Sequence, residues 1–182
     1  MKAFLTLFTL LIVSFSSLQA QEQIKWVTFN EALELQKKKP KKIFLDAYTT
    51  WCGPCKALDK NTFTNPDVIK FINKHFYAVK FNAEGNEEIS YRGNTYTNPH
   101  YKPDRKGRNA THQFTLALGV RGYPSLVYFT ETGDVIQVVS GYRTPKQLEI
   151  FLKMIANDDY KKLTTNEAWA EYQKNFVSTF QE

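Results

Sequence analysis

Cysteine is scarce in this chain of 182 residues. It occurs twice, at Cys52 and Cys55. Small exported folds that depend on disulfides as staples use several cysteines, so a scaffold of that kind is excluded. Histidine is scarce too: His75, His100 and His112 are the only three, and none stands at ligand spacing from the cysteines. The four ligands of a structural zinc are therefore not assembled, and no metal is expected. No internal repeat or low-complexity tract is present, which excludes a solenoid and a repetitive linker. The basic cluster Lys37, Lys38, Lys39, Lys41 and Lys42 around Pro40 has no aromatic residues interleaved. It reads as a solvated helix end whose cations suit the dipole, and nucleic acid is not an expected partner.

What is present begins with an export signal. Lys2 supplies a positive start, and Ala3 to Phe15 is apolar except for Thr6, Thr9 and Ser14. Ser16 to Ala20 gives a small and polar exit with Ala before the expected cut. The apolar stretch is short for a membrane span, which needs ~20 residues. No cysteine lies near the cut, so a lipid anchor has no attachment point. Residues 1–20 are thus expected to be a cleavable signal peptide, and the mature protein to be exported, in a periplasm. The remaining chain is long enough for one domain with a real core.

The cysteines are separated only by Gly53 and Pro54. A bridge between them closes a loop too short to serve as a staple: the chain-entropy model assigns it about 2 kcal/mol, against about 4.7 for a long loop. Redox chemistry explains the spacing better. A Cys-X-X-Cys pair opening a helix puts the first sulfur at the helix N-terminus, where unpaired N–H groups and the dipole favour a thiolate. The second sulfur sits one turn on, placed to attack a mixed disulfide.

The run Phe44-Leu45-Asp46-Ala47-Tyr48-Thr49-Thr50-Trp51-Cys52-Gly53-Pro54-Cys55-Lys56 resembles the active-site strand and helix of the thioredoxin family. A second segment, Gly119 to Phe129, resembles the part that carries that family's cis-proline, here Pro124 after Tyr123. The resemblance covers about residues 24–155. Residues 55–76 are also similar to the C-terminal domain of periplasmic disulfide reductases fed by a membrane partner. It implies an α/β thioredoxin fold, with a mixed central β-sheet flanked by helices. The domain is expected over residues 21–160, with an insertion at about 83–108 before the cis-proline segment. A C-terminal helical extension is expected over 161–182.

The resemblance also implies roles. Cys52 is the expected exposed nucleophile and Cys55 the resolving thiol. Asp46 is the buried carboxylate that accepts the Cys55 proton, and Lys80 resembles the lysine that pairs with it. Trp51, Gly53, Pro54, Tyr123 and Pro124 are the expected substrate-binding residues, with Trp51 and Pro124 lining an apolar groove. Tyr123 departs from the small aliphatic residue usual before the proline. Gly141 matches a glycine near the site. No cofactor is needed beyond the Cys52–Cys55 pair. The implied partners are disulfide-containing proteins and a membrane electron donor. Gly-Pro between the cysteines favours a protein-disulfide reductase. An oxidant or isomerase is the alternative within the enzymes, and a non-catalytic client-binding module outside them.

The local pattern places the elements. Residues 24–29 and 77–82 alternate as strands, and 42–48 reads as a buried strand. Asn30 is the expected cap of a helix to Lys38, Asn65-Pro66 opens a helix to Lys74, and Asn109 opens one to Leu118. Residues 91–96 suggest a small hairpin turning at Gly93-Asn94. Residues 125–129 and 135–140 read as a hairpin. Thr144 to Gln147 and Thr164 to Glu167 read as capping boxes. Trp169, Tyr172, Phe176 and Phe180 recur on one face of a terminal helix, and His112 is expected on a helix surface.

Overall fold

The computed structural model describes residues 22–182; the expected signal peptide lies outside them. A five-stranded mixed sheet organises the chain, in the order β1 (Trp26–Val27), β3 (Phe76–Asn82), β2 (Lys42–Tyr48), β6 (Ser125–Phe129), β7 (Val135–Ser140). Strands β1, β3 and β2 run parallel, whereas β2–β6 and β6–β7 are antiparallel. Along β2, Phe44 faces one core and Ile43, Leu45 and Ala47 face the other. That two-sided burial is why the strand reads as continuously apolar.

The first face is covered by α3 (Pro66–His75) and α5 (Pro145–Ala156), which deliver Val68, Ile69, Ile72, Leu148, Leu152 and Ile155. Leu58 of α2 (Gly53–Asn61) joins them. The second face is covered by α1 (Phe29–Lys38) and α4 (Gln113–Ala117). Helices α3 and α5 start where the sequence says: Asn65 accepts from Asp67 and Val68 N–H, and Thr144 forms a reciprocal box with Gln147. Each such cap contributes about 1 kcal/mol.

Several local expectations are corrected. β1 is two residues long, because Thr28 caps α1 through a box with Glu31. Asn30 does not cap; its side chain donates to Glu88 O and accepts from Ser90 N–H, tying α1 to the insertion. Lys42 is buried and paired with Glu131 and Asp158, at 2.7 and 3.1 Å, so it is not part of a solvated helix end. Asn109 opens no helix. His112 does: its Nδ1 accepts from Phe114 N–H at 3.0 Å, and it is wholly buried instead of lying on a helix surface.

The insertion carries the hairpin β4 (Ile89–Tyr91) and β5 (Asn94–Tyr96). Its turn is at Arg92-Gly93, both at positive φ, not at Gly93-Asn94. Two positive-φ residues match the twist of a two-residue hairpin loop. Ile89 and Tyr91 enter the second core beside Phe29 and Phe114, so this part of the insertion is packed structure.

The C-terminal helix α6 (Asn166–Asn175) is capped by Thr165 through Ala168 N–H, so the expected box with Glu167 is not formed. The helix ends before Phe176. Phe180 reaches the first core on an extended tail, not on the face of α6. Glu149, fully buried on α5, accepts hydrogen bonds from Thr179 N–H, Thr179 Oγ1 and Phe180 N–H and from the Ser178 hydroxyl. Burial pushes its carboxyl up, but these donors and Lys153 outweigh it and hold the pKa at about 2. The extension is fastened to the same core as the sheet.

Candidate active site

The site forms where β2 ends and α2 begins. Cys52 is the N-cap of α2, and its Sγ accepts from Cys55 N–H at 3.1 Å. Gly53 and Pro54 occupy the exposed first positions of the helix, where the missing proline N–H costs nothing. Cys55 follows on the inner side, and the two sulfurs are joined, with Cα atoms 5.3 Å apart. The expectation of an exposed Cys52 is corrected: it is 2% exposed, against 1% for Cys55. In the joined form its sulfur is turned toward Cys55 and the Cys55 amide.

Register sets the electrostatics behind the pair. Asp46 on β2 lies directly opposite Lys80 on β3, and Lys80 Nζ donates to Asp46 Oδ2 at 2.7 Å. Asp46 is fully buried, and its Oδ1 has no hydrogen-bond partner among the described residues. Burial raises its carboxyl most strongly; Lys80 opposes and Asp59 adds to the rise, leaving the pKa at about 6. A carboxyl poised near neutrality with a free oxygen can take up a proton, as a general base must.

Lys80 does more than pair with Asp46. It also bonds Asp59 of α2, and it sits about 5 Å from the ring centroids of Trp26, Tyr48 and Phe63. Burial lowers its proton affinity, but Asp46 and Asp59 outweigh that and keep it raised. Sequence reasoning missed Asp59. The available signal was its place one turn after Cys55, on the same helix face.

The second segment meets the first here. The Tyr123–Pro124 peptide is cis, and Pro124 O accepts from Gly141 N–H at 2.8 Å. Gly141 has φ +93°, a conformation that disfavours any side chain. Tyr123 packs edge-on against Trp51, with centroids 6.1 Å apart. The chain from 44 to 56 and the chain from 119 to 129 thus converge, as do Asp46 and Lys80.

A family model described as a thioredoxin-like domain matches residues 29–156. The chain belongs to the thioredoxin-like family. Its fold is shared with a thioredoxin-fold protein from Helicobacter pylori (TM-score 0.58, 17% identity, covering 74% of this chain and 81% of that one). It is also similar to a proposed disulphide-isomerase from Bacteroides thetaiotaomicron (TM-score 0.51, 27% identity, covering 74% and 94%). A thioredoxin from Thermus thermophilus aligns with TM-score 0.53 at 13% identity, covering 85% and 98%. No curated protein matches the chain. A thioredoxin-like fold with its Cys-X-X-Cys pair at bonding distance supports a thiol–disulfide oxidoreductase.

Beside this thioredoxin-like pair runs a groove of about 600 Å³. Trp51 and Tyr123, the chain neighbours of Cys52 and Pro124, line it; Pro124 itself is buried and is not among the lining residues. The groove is not the apolar one expected, because Arg108, Arg121 and Glu84 line it as well. Trp51 Nε1 and Asn109 N–H both donate to Glu84 Oε2, at 2.8 and 2.7 Å, and the Arg108 guanidinium lies 4.3 Å from the Trp51 ring centroid. The insertion is therefore attached to the active-site tryptophan. Among the described residues no group of three or more His, Cys, Asp and Glu is placed to hold a metal.

Proposed function

We propose that the protein is a protein-disulfide reductase of an exported compartment, working through Cys52 and Cys55. The reading is carried chiefly by a helix-capping Cys52 bonded to Cys55, with a buried, partly unpartnered Asp46 of raised pKa on the strand that leads into it. In the reduced state the Cys52 thiolate attacks one sulfur of a client disulfide. That bond breaks, the client's other sulfur leaves as a thiolate, and a Cys52–client bond forms. Asp46 accepts the Cys55 proton. The Cys55 thiolate then attacks Cys52, the second client sulfur leaves, and the Cys52–Cys55 bond closes. Two electrons have passed to the client, and a dithiol donor at the membrane must return them.

The helix N-terminus supports the leaving and attacking role of Cys52 by favouring its anion. Gly-Pro between the cysteines supports the reducing direction, since the same dipeptide marks the reductant end of the family range, about −270 mV against about −120 mV for the strong oxidant. The leader-like residues 1–20 support export. A second reading, disulfide isomerase, is favoured by the 27% identical Bacteroides protein so described.

The test is to trap the intermediate and weigh the potential. A Cys55→Ser variant incubated with an insulin-type disulfide should accumulate a mixed disulfide at Cys52, and a Cys52→Ser variant should not. A Cys52–Cys55 potential near the reductant end supports the reductase. A potential near that of the strong oxidant reverses the direction, and rapid unscrambling of a misbridged protein without net reduction favours the isomerase.

A further inference from the structure

We propose that the insertion makes the groove beside Cys52 selective for client disulfides flanked by acidic residues. This rests on the oxidoreductase reading above and names the substrate class of that site.

The groove has the right charge for such a segment. Two of its lining residues are guanidinium groups: Arg108 from the insertion and Arg121 from the loop before Tyr123. Both residues are exposed, and neither forms a salt bridge among the described residues. The one lining carboxylate, Glu84, is largely buried, with Oε2 occupied by Trp51 Nε1 and Asn109 N–H. That oxygen is committed within the fold, and the two guanidinium groups outnumber the carboxylate two to one in the lining. The exposed stretch 102–108 adds Lys102, Arg105 and Lys106 against the single acid Asp104.

The groove also has the right place and shape. Arg108 is held over Trp51, the residue before Cys52, and Arg121 is two residues before Tyr123. Both guanidinium groups therefore flank chain neighbours of Cys52 and Pro124, so a carboxylate they bind adds to the affinity of a disulfide carried by the same molecule. Leu116, 65% exposed in the groove wall, offers an apolar contact to a neighbouring side chain. An extended polypeptide with Asp or Glu a few residues from its cysteine satisfies all of these. Positive potential focused in a cleft accelerates encounter with such a partner and weakens as salt screens it.

The experiment uses reduced full-length protein and three peptides. Each peptide carries one disulfide, and they are identical except for Glu, Gln or Lys flanking the cysteine. Second-order reduction rates are followed by stopped-flow tryptophan fluorescence at low and high salt. The expected order is Glu, Gln, Lys, with a Glu-to-Lys ratio of about tenfold at low salt that shrinks at high salt. The R108E/R121E double variant should invert the order, and Arg108→Gln alone should reduce the ratio. Equal rates for the three peptides at low salt, or an unchanged order in a double variant shown by circular dichroism to be folded, overturn the proposal. If the double variant does not fold, Arg108→Gln and the wild-type salt dependence decide it. Failure of the wild type to reduce even the Gln peptide would overturn the oxidoreductase reading itself, a distinct result from reduction without charge preference.

Discussion

Replacing Asp46 with Asn should stabilise the oxidised protein at neutral and alkaline pH while slowing its chemistry. Asp46 is fully buried, and its pKa is raised from an ordinary 3.8 to about 6, chiefly by burial. Each tenfold in proton affinity is worth about 1.4 kcal/mol, so ionising Asp46 in the fold costs about 3 kcal/mol relative to the unfolded chain. The sign follows from proton counts. Between pH 3.8 and about 6 the folded state holds the proton more tightly, so wild-type stability falls as pH rises through that window and levels off above it. Asn carries no proton to lose and escapes this decline. Lys80 keeps Asp59 and its three aromatic neighbours after the substitution, which limits the cost of the lost pair.

The variant should therefore match the wild type near pH 4 and exceed it by about 1–3 kcal/mol at pH 8. Urea unfolding at pH 4, 6 and 8 reads this directly, as a midpoint gain of about 1 M at the highest pH. The resolving step, deprived of its proton acceptor, should slow by about 10²-fold or more, with mixed disulfide accumulating. Parallel stability curves for the two proteins across this pH range would refute the assignment of a raised Asp46 pKa.

Three further outcomes are expected. Asp59→Asn removes a negative charge that raises Asp46, so the acid limb of the pH–rate profile should move to lower pH. Glu149→Gln should cost about 2–4 kcal/mol by removing a buried charged acceptor that holds the tail, with faster hydrogen exchange at residues 178–181. Because folding lowers the Glu149 pKa from 4.5 to about 2, its contribution is complete above 4.5 and is lost as pH falls through 2. Glu84→Gln weakens the tie between Trp51 and Asn109, so trypsin should cut faster at Arg105, Lys106 or Arg108, as mass spectrometry of timed digests would show.

What the sequence disclosed and what it hid follow from the range of the forces involved. β2, the hairpin of β6 and β7, and the caps at Asn65 and Thr144 were legible, because apolar runs, turn signals and cap spacing act within a few residues. Thr28 was legible in principle, as Thr-x-x-Glu, but the apparent alternation of 24–29 ran over it and Asn30 took its place. His112 caps through a ring nitrogen, which the usual cap chemistry does not suggest. Phe180 continued an apolar helical period, yet the helix stops and the residue is placed by a carboxylate 31 positions away. At the site, the cysteines and Asp46 stood out through local motif and resemblance. Asp59, Glu84 and Arg108 did not, because their partners Lys80 and Trp51 are 21 to 57 residues distant.

The most direct test of the central claim is the pH dependence of iodoacetamide labelling of the reduced protein, mapped by mass spectrometry. A helix-capping Cys52 should be alkylated with an apparent pKa well below the ~8.5 of a free cysteine, while Cys55 stays protected until the protein unfolds. Labelling of Cys52 no faster than free cysteine at neutral pH, or labelling of Cys55 first, would contradict the account.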